Sequence, residues 1–179
     1  VLYIALERPK QVQRRIEAFA KAHFLQRPLN VTIYDGALDL VDGPEYQLAN
    51  IIAASEKHSP CFNVEGGAEL DFVADLVVID TLTRSMGAGS DSSGEATAAL
   101  AHRLRRTLEC CDAHIMLIHH TPLGDDSRMR GHGNLLAAFD QTVRVKKYKG
   151  GSLATVQKDN ETPEHQKPEF GYHLRSQVI

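Results

Sequence analysis

The stretch that decides the fold is ADLVVIDTLTRSM, which runs from Ala74 to Met86. Its four consecutive apolar residues, 76–79, lead directly into the carboxylate of Asp80 and the hydroxyl of Thr81. A continuous apolar run of this length is typical of a strand buried on both faces, as in a parallel sheet covered by helices. The aspartate at its end either caps a turn or presents its carboxylate to a ligand at the edge of the sheet.

Two other apolar segments end in polar residues in the same way. VLYIALE, residues 1–7, ends on Glu7, and HIMLIHH, residues 114–120, ends on His119 and His120. Because ligands of α/β folds bind at the carboxyl ends of the strands, we expect these side chains and Asp80 to surround one site. The plainer interpretation makes the glutamate an exposed turn residue and the histidine pair one buried ring beside a solvated one.

The remaining segments complete an α/β pattern, which predicts a mostly parallel sheet flanked by helices, with an antiparallel hairpin at its C-terminal edge. The predicted elements are a strand over 1–6, a helix from Pro9 to about Phe24, a strand over 31–36, a helix opened by Pro44, a helix opened by a Ser92–Glu95 capping box, a short helix over 135–139, a hairpin over 141–159 and a last strand over 170–178. Helical spacing predicts inward faces made of Val12, Ile16, Phe19, Ala20 and His23, then Leu48, Ile51 and Ile52, and then Leu100, Leu104, Leu108 and Cys111.

Composition indicates one ordinary globular domain. The chain has 179 residues, of which 42% are hydrophobic and 24% are charged, and its net charge of −3 gives no general positive field for nucleic acid. A local basic patch, or a basic pore formed by assembly, remains compatible with that balance. The cysteines, Cys61, Cys110 and Cys111, form no CxxC pair, which predicts a reducing, cytoplasmic setting. No apolar run approaches the ~20 residues of a membrane span.

Two other groups of residues have a structural and a functional interpretation. Asp80 with Asp125, Asp126 and His132 would suit a His/Asp metal site, although their spacing matches no zinc pattern. Arg128 and Arg130 in RMRGHGN are either solvated or, in a ring of subunits, ligands of DNA phosphates or of a neighbour's nucleotide. The cations of the hairpin do no more than protect an edge strand in the plain interpretation; they are Arg144, Lys146, Lys147 and Lys149.

Five segments in their order resemble the RepA-type replicative helicases of plasmids and phages, within the RecA/DnaB-like hexameric ATPases. They are VLYIALE, DLVVIDTLTRSM, HIMLIHHTPLGD, RGHGNLLAAFDQTVRV and LATVQKD. The resemblance implies a single RecA-like ATPase domain over 1–179, with ATP and Mg²⁺ as cofactors, single-stranded DNA as partner and assembly into a homo-oligomeric ring. No GxxxxGK[ST] occurs, so the resemblance implies truncation at the N-terminus, with the phosphate-binding loop upstream of Val1.

The resemblance also implies roles for individual residues. Glu7 would polarise the attacking water, and Asp80 would be the Walker B aspartate that holds Mg²⁺ through water, next to Thr81 at the nucleotide. His119 or His120 would be the γ-phosphate sensor, with His120 preferred. The interface residues, facing DNA or the neighbouring subunit, would be Arg128, Arg130 and the finger Lys158.

Two other functions remain as alternatives. Asn160 stands where related helicases often have an arginine, two residues beyond the finger lysine. That difference and the acidic balance favour a RecA-like regulatory or assembly ATPase that is not a motor. The third hypothesis is a His/Asp metallohydrolase.

Overall fold

A computed structural model describes residues 1–25, 29–58, 74–88, 92–121, 133–163 and 166–173. Its strands and helices are β1 (Leu2–Ala5), α1 (Pro9–Ala22), β2 (Thr32–Tyr34), α2 (Gln47–His58), β3 (Leu76–Asp80), α3 (Gly94–Cys110), β4 (His114–Ile118), α4 (Gly133–Ala137), β5 (Gln141–Tyr148), β6 (Gly151–Asp159) and β7 (Glu169–Tyr172). A 3₁₀ turn, Thr83–Met86, follows β3. Among the helices in these ranges, none is long and apolar enough to cross a membrane.

The first sheet is parallel and has the strand order β2-β1-β3-β4. Ala5 of β1 lies opposite Asp80 of β3, which lies opposite Ile118 of β4. The three strands therefore end level with one another. This confirms the predicted α/β fold and the predicted alternation of strands and helices.

The apolar run of β3 is buried on both faces, as its sequence predicts. Val77 and Ile79 are 0% exposed and Val78 is 7% exposed. On one side of the sheet Val77 and Ile79 join a core that contains Leu48 and Ile52 of α2, Leu100 and Leu104 of α3, and Leu2 and Ile4 of β1. Burial of this kind is what fixes a continuous apolar run in the middle of a covered sheet.

The predicted inward face of α1 is wrong in part, and one side of β4 is also open to solvent. In α1 only Val12 is buried, whereas Phe19 is 52% exposed and its ring packs on His23 of the same helix, with ring centroids 4.3 Å apart. In β4, His114 is exposed and Met116 is 50% exposed. Among the described residues β4 pairs only with β3, so it is an edge strand, and only its other face packs against the core.

The third helix also differs from its prediction at both ends. Its N-cap is Ser93, whose hydroxyl accepts a hydrogen bond from the amide of Ala96 at 3.3 Å, so the capping residue is not Ser92. Leu108 is 49% exposed, whereas Thr107 is buried. Steps of four residues rotate around a helix of 3.6 residues per turn, which carries position 108 off the inward face and brings 107 onto it.

The second sheet is antiparallel, with the strand order β5-β6-β7. Its first two strands form the predicted hairpin, which turns through Lys149 and Gly150 with φ angles of 43° and 78°. Two consecutive positive φ angles suit the right-handed twist of a hairpin and favour glycine. The last strand is shorter than predicted and ends at Tyr172, and residues 174–179 lie outside the described residues.

Candidate functional site

Backbone hydrogen bonds join the ends of β1, β3 and β4. The carbonyl oxygen of Asp80 accepts from the amides of Leu6 (2.7 Å) and Glu7 (3.2 Å). On the other side, the amide of Leu82 donates to the carbonyl oxygen of Ile118 at 2.8 Å. The three predicted strand ends therefore form one continuous edge, with the chain after Asp80 running along it.

The carboxylate of Asp80 is held by Tyr3, whose hydroxyl donates to Oδ2 at 2.8 Å. Burial raises the pKa of Tyr3, and the hydrogen bond to Asp80 and its negative charge raise it further. The phenol therefore remains a neutral donor at physiological pH. Sequence reasoning missed Tyr3, because the contact depends on strand register: Tyr3 pairs with Val78, and residues 78 and 80 lie on the same face of β3.

Glu7 contacts two side chains from the segment that follows Asp80. Its Oε1 accepts from the hydroxyl of Thr81 at 3.1 Å and from Nε of Arg84 at 3.4 Å. The Glu7 side chain is 33% exposed and that of Arg84 is 68% exposed, so solvent screens this ion pair and it contributes little to stability. The two contacts instead orient the Glu7 side chain, because Thr81 and Arg84 both donate to the same carboxylate oxygen. Arg84 had no assigned role, although it is the only basic residue of the stretch 74–86.

The same segment contacts the histidine at the end of β4. Thr83 Oγ1 lies 3.5 Å from Nδ1 of His119, and the donor is set by the tautomer of the ring. His120 is exposed. Residues 81–84 therefore touch the glutamate on one side and a histidine on the other, and the peptide bond that begins them, Asp80–Thr81, is cis.

The oxygen groups at this edge suit a hard cation such as Mg²⁺. The Tyr3 bond engages Oδ2 of Asp80, and among the described residues Oδ1 of the same carboxylate accepts no hydrogen bond. Mg²⁺ keeps several waters and typically uses one or two carboxylates together with phosphate oxygens. A single aspartate with one open oxygen fits that role.

A transition-metal site has less support in the described ranges. They contain no group of three or more His, Cys, Asp or Glu residues arranged to hold a metal. Asp125, Asp126 and His132, the other members of the predicted His/Asp site, lie outside the described residues.

The two sequence-predicted interface arginines, Arg128 and Arg130, also lie outside the described residues. Lys158 of β6 is described, and its ammonium group donates to the carbonyl oxygens of Leu136 (3.2 Å), Ala137 (3.3 Å) and Phe139. It therefore caps the C-terminal end of α4, where carbonyl groups lack helical partners. Nearby, Nδ2 of Asn160 donates to Oδ1 of Asp140 at 3.1 Å.

A family model described as an AAA domain matches residues 1–126. The chain belongs to this family. Among solved structures, the AAA domain is similar to the RadB recombinase, with a TM-score of 0.53 and 15% sequence identity over 95% of this chain and 74% of that one. At that identity the similarity shows the fold alone, which is RecA-like. No curated protein sequence matches the chain.

The family match and the structural similarity cover different parts of the AAA domain. The matched residues, 1–126, include Glu7, Asp80 and both histidines, whereas Lys158 and the second sheet lie beyond them. The RecA-like fold of the solved neighbour spans nearly the whole chain. The edge built by β1, β3 and β4 thus lies within the residues that the family model matches.

Proposed function

We propose that this AAA domain hydrolyses ATP as the motor of a RepA-like DNA helicase that serves plasmid or phage replication. The observation that carries the proposal is the level ending of β1, β3 and β4, which brings Glu7, Asp80 and His119 to one edge. A glutamate can orient the attacking water, an aspartate with one open oxygen can hold Mg²⁺, and a histidine can donate a hydrogen bond to the γ-phosphate. We treat residues 1–179 as a single RecA-like ATPase domain.

Asp80 would hold Mg²⁺ through a water molecule, with Tyr3 fixing the orientation of its carboxylate. When bound, the ion neutralises charge on the phosphate oxygens. Thr81 is 1% exposed and donates to Glu7. We therefore assign Thr81 the role of positioning Glu7 beside the nucleotide.

Glu7 would accept a hydrogen bond from the attacking water. Thr81 and Arg84 both bind its Oε1, and among the described residues Oε2 has no hydrogen bond. The open oxygen is therefore the one that we expect to orient the water. For the γ-phosphate sensor we now favour His119 over His120, because Thr83 contacts the ring of His119 whereas His120 is exposed to solvent.

Coupling of hydrolysis to movement along single-stranded DNA would require a homo-oligomeric ring, in which each site borrows a basic residue from its neighbour. Lys158 is our candidate for that residue, and it would have to exchange its three carbonyl partners at the end of α4 for a phosphate. Arg128 and Arg130 remain candidates for contacts with DNA or with the neighbouring subunit.

The test is an ATPase assay on the full-length protein that the gene encodes, with and without single-stranded DNA. Asp80→Asn should lower kcat by about 10²- to 10³-fold, the loss typical of removing one preorganised electrostatic group. The matched control is Asp75→Asn, which makes the same change next to the opposite end of β3 and should leave kcat unchanged. Full activity in Asp80→Asn would refute the assignment of the site.

The second candidate is a RecA-like ATPase that switches on nucleotide state without unwinding DNA. The favouring observation is that Lys158 and Asn160 are both engaged within the chain. In this case hydrolysis would still depend on Asp80, but single-stranded DNA would not stimulate it and no ring would form in sedimentation experiments. DNA stimulation of several-fold or more would exclude this candidate.

A further inference from the structure

One face of the second sheet forms a shallow groove along β6. The register sets Ala154 between Val145 of β5 and Phe170 of β7, and the next row sets Ser152 between Lys147 and Tyr172. Residues that pair directly across strands share a face of the sheet. Small side chains on the middle strand are thus flanked by larger ones on both outer strands.

The walls of this groove are apolar and open to solvent. Val143 is 46% exposed, Val145 is 53% exposed and Phe170 is 57% exposed, whereas Ala154 on the floor is 1% exposed. The rings of Phe170 and Tyr172 lie 6.4 Å apart and are inclined by 37°, so they line one wall together. Exposed apolar and aromatic groups that adjoin one another are characteristic of binding surfaces.

Lysines stand at the end of the groove near the β5–β6 turn. Residues 141–152 contain Arg144, Lys146, Lys147 and Lys149 and no acidic residue, but Arg144 and Lys146 pair with Thr155 and Leu153 on the opposite face of the sheet. Lys147 lies on the groove face, and Nζ of Lys149 lies 5.0 Å from the centre of the Tyr148 ring at the turn. A depression lined by residues 147–152 adjoins them.

The acidic residue of β7, Glu169, is directed away from the groove. It pairs with Thr155, on the opposite face of the sheet, and its carboxylate accepts a hydrogen bond from the Thr155 hydroxyl at 2.8 Å. The groove therefore combines exposed rings along one wall with lysines near the β5–β6 turn.

We propose that this groove binds single-stranded nucleic acid, with bases stacked on Phe170 and Tyr172 and phosphates bound by Lys147 and Lys149. Aromatic platforms beside cations are the surfaces that hold unpaired strands, because every base has a face to stack and every nucleotide carries a negative charge. The inference rests on the proposed function for the identity of the polymer as DNA. It goes beyond that function by assigning the contact to the second sheet.

The experiment measures the binding of the full chain to a fluorescein-labelled oligothymidylate by anisotropy, without nucleotide. Lys147→Glu/Lys149→Glu should raise Kd at least tenfold and lower the slope of log K against log salt by about 1.4, which corresponds to two lost phosphate contacts at about 0.7 each. The matched control is Lys10→Glu/Lys21→Glu, which makes the same charge change at exposed positions of α1 and should alter Kd less than twofold.

Substitution of the aromatic wall tests stacking separately. Phe170→Ala should raise Kd by about 5- to 150-fold, the range expected for one stacked base, and Phe170→Trp should restore binding. Thermal unfolding of each variant identifies any loss of binding that comes from misfolding. Because Phe170→Trp keeps an aromatic ring, its comparison with Phe170→Ala isolates the effect of stacking.

The outcomes separate this inference from the proposed function. Loss of ATPase activity in Asp80→Asn with oligonucleotide binding intact supports both, and absence of ATPase activity in the unaltered protein leaves the groove assignment in place. Equal weakening by the hairpin and α1 variants would overturn the groove assignment. So would unchanged binding in the hairpin variant accompanied by a changed oligomeric state, since the groove would then be a contact between copies of the chain.

Discussion

The two sheets of this AAA domain use their polar residues in opposite ways. In the parallel sheet, Ile79 is fully buried and the polar groups Glu7 and Asp80 stand where strands end, already bonded to neighbours from the same edge. In the antiparallel sheet, Val145 is 53% exposed and cations alternate with apolar residues along the length of β5. The first arrangement concentrates chemistry at one point, and the second spreads a binding surface along a face.

This difference follows from how many faces of each sheet are covered. A strand covered on both faces has no room for polar side chains except at its ends, so its ligands must bind at the ends. A strand with one open face can alternate, and every second side chain is available to solvent. In the second sheet the buried residues, Ala154 and Val156, both lie on the middle strand, β6.

The largest predicted effect compares a buried residue of the first sheet with an exposed residue of the second. Ile79→Ala should lower the free energy of unfolding by about 2 to 5 kcal/mol, because it leaves a cavity in a core that cannot fully collapse. Val145→Ala should lower it by at most about 0.5 kcal/mol, the usual effect of a surface substitution. Urea titrations followed by circular dichroism measure both. Similar losses in the two variants would mean that the groove of the second sheet is covered in solution.

The second prediction concerns the contact between β6 of the second sheet and the end of α4. Lys158→Met keeps the length of the side chain but removes the bonds to the carbonyl groups at the end of α4, and should cost about 2 to 3 kcal/mol. Lys149→Met, in the exposed turn, serves as control with an expected change within about 0.5 kcal/mol. Hydrogen exchange should become faster in β5 and β6 before it changes in β3. Unaltered exchange in the hairpin would show that Lys158 does not anchor it.

The sequence predicted the elements whose signal is local and repeated. The apolar run that ends at Asp80 predicted a doubly buried strand, and the segment 141–159 predicted a hairpin, because each pattern lies within one continuous stretch of the chain. Parallel strands of one sheet have their carboxyl ends at one edge. That rule alone groups Glu7 with Asp80.

What the sequence did not predict depends on contacts between distant residues. Tyr3 reaches Asp80 across 77 positions, and Arg84 reaches Glu7 across the same separation. Neither contact produces a periodic pattern in the amino-acid sequence. The errors at Phe19 and Leu108 have a related cause: helical spacing identifies an apolar face but not how far the neighbouring layer extends over it.

The third prediction concerns the edge of the parallel sheet. Tyr3→Phe should cost about 1 kcal/mol, because water can partly replace the lost donor at the half-buried Asp80. Since the folded state raises the pKa of Tyr3, its contribution is complete below the pKa of an unfolded tyrosine, 10.0, and is lost as the pH rises through the folded value. Stability of the two proteins should therefore converge in strong alkali, when measured by urea titration. A constant difference would show that the phenol is not the titrating group.

The smallest predicted effect concerns the second sheet, where Asp159 ends β6. The amide of Glu161 and the side chains of Thr162 and Gln141 donate to its carboxylate and lower its pKa from 3.8 to about 2. Because the folded state binds this proton less tightly than the unfolded state, the contribution to stability is complete above about pH 4 and is lost as the pH falls towards about 2. The melting temperatures of the unaltered protein and Asp159→Asn should differ at neutral pH and converge across that interval. Thr162→Val removes one donor to the carboxylate and should narrow the pH interval over which the melting temperatures converge. A difference in melting temperature that is independent of pH would mean that the carboxylate does not hold this turn.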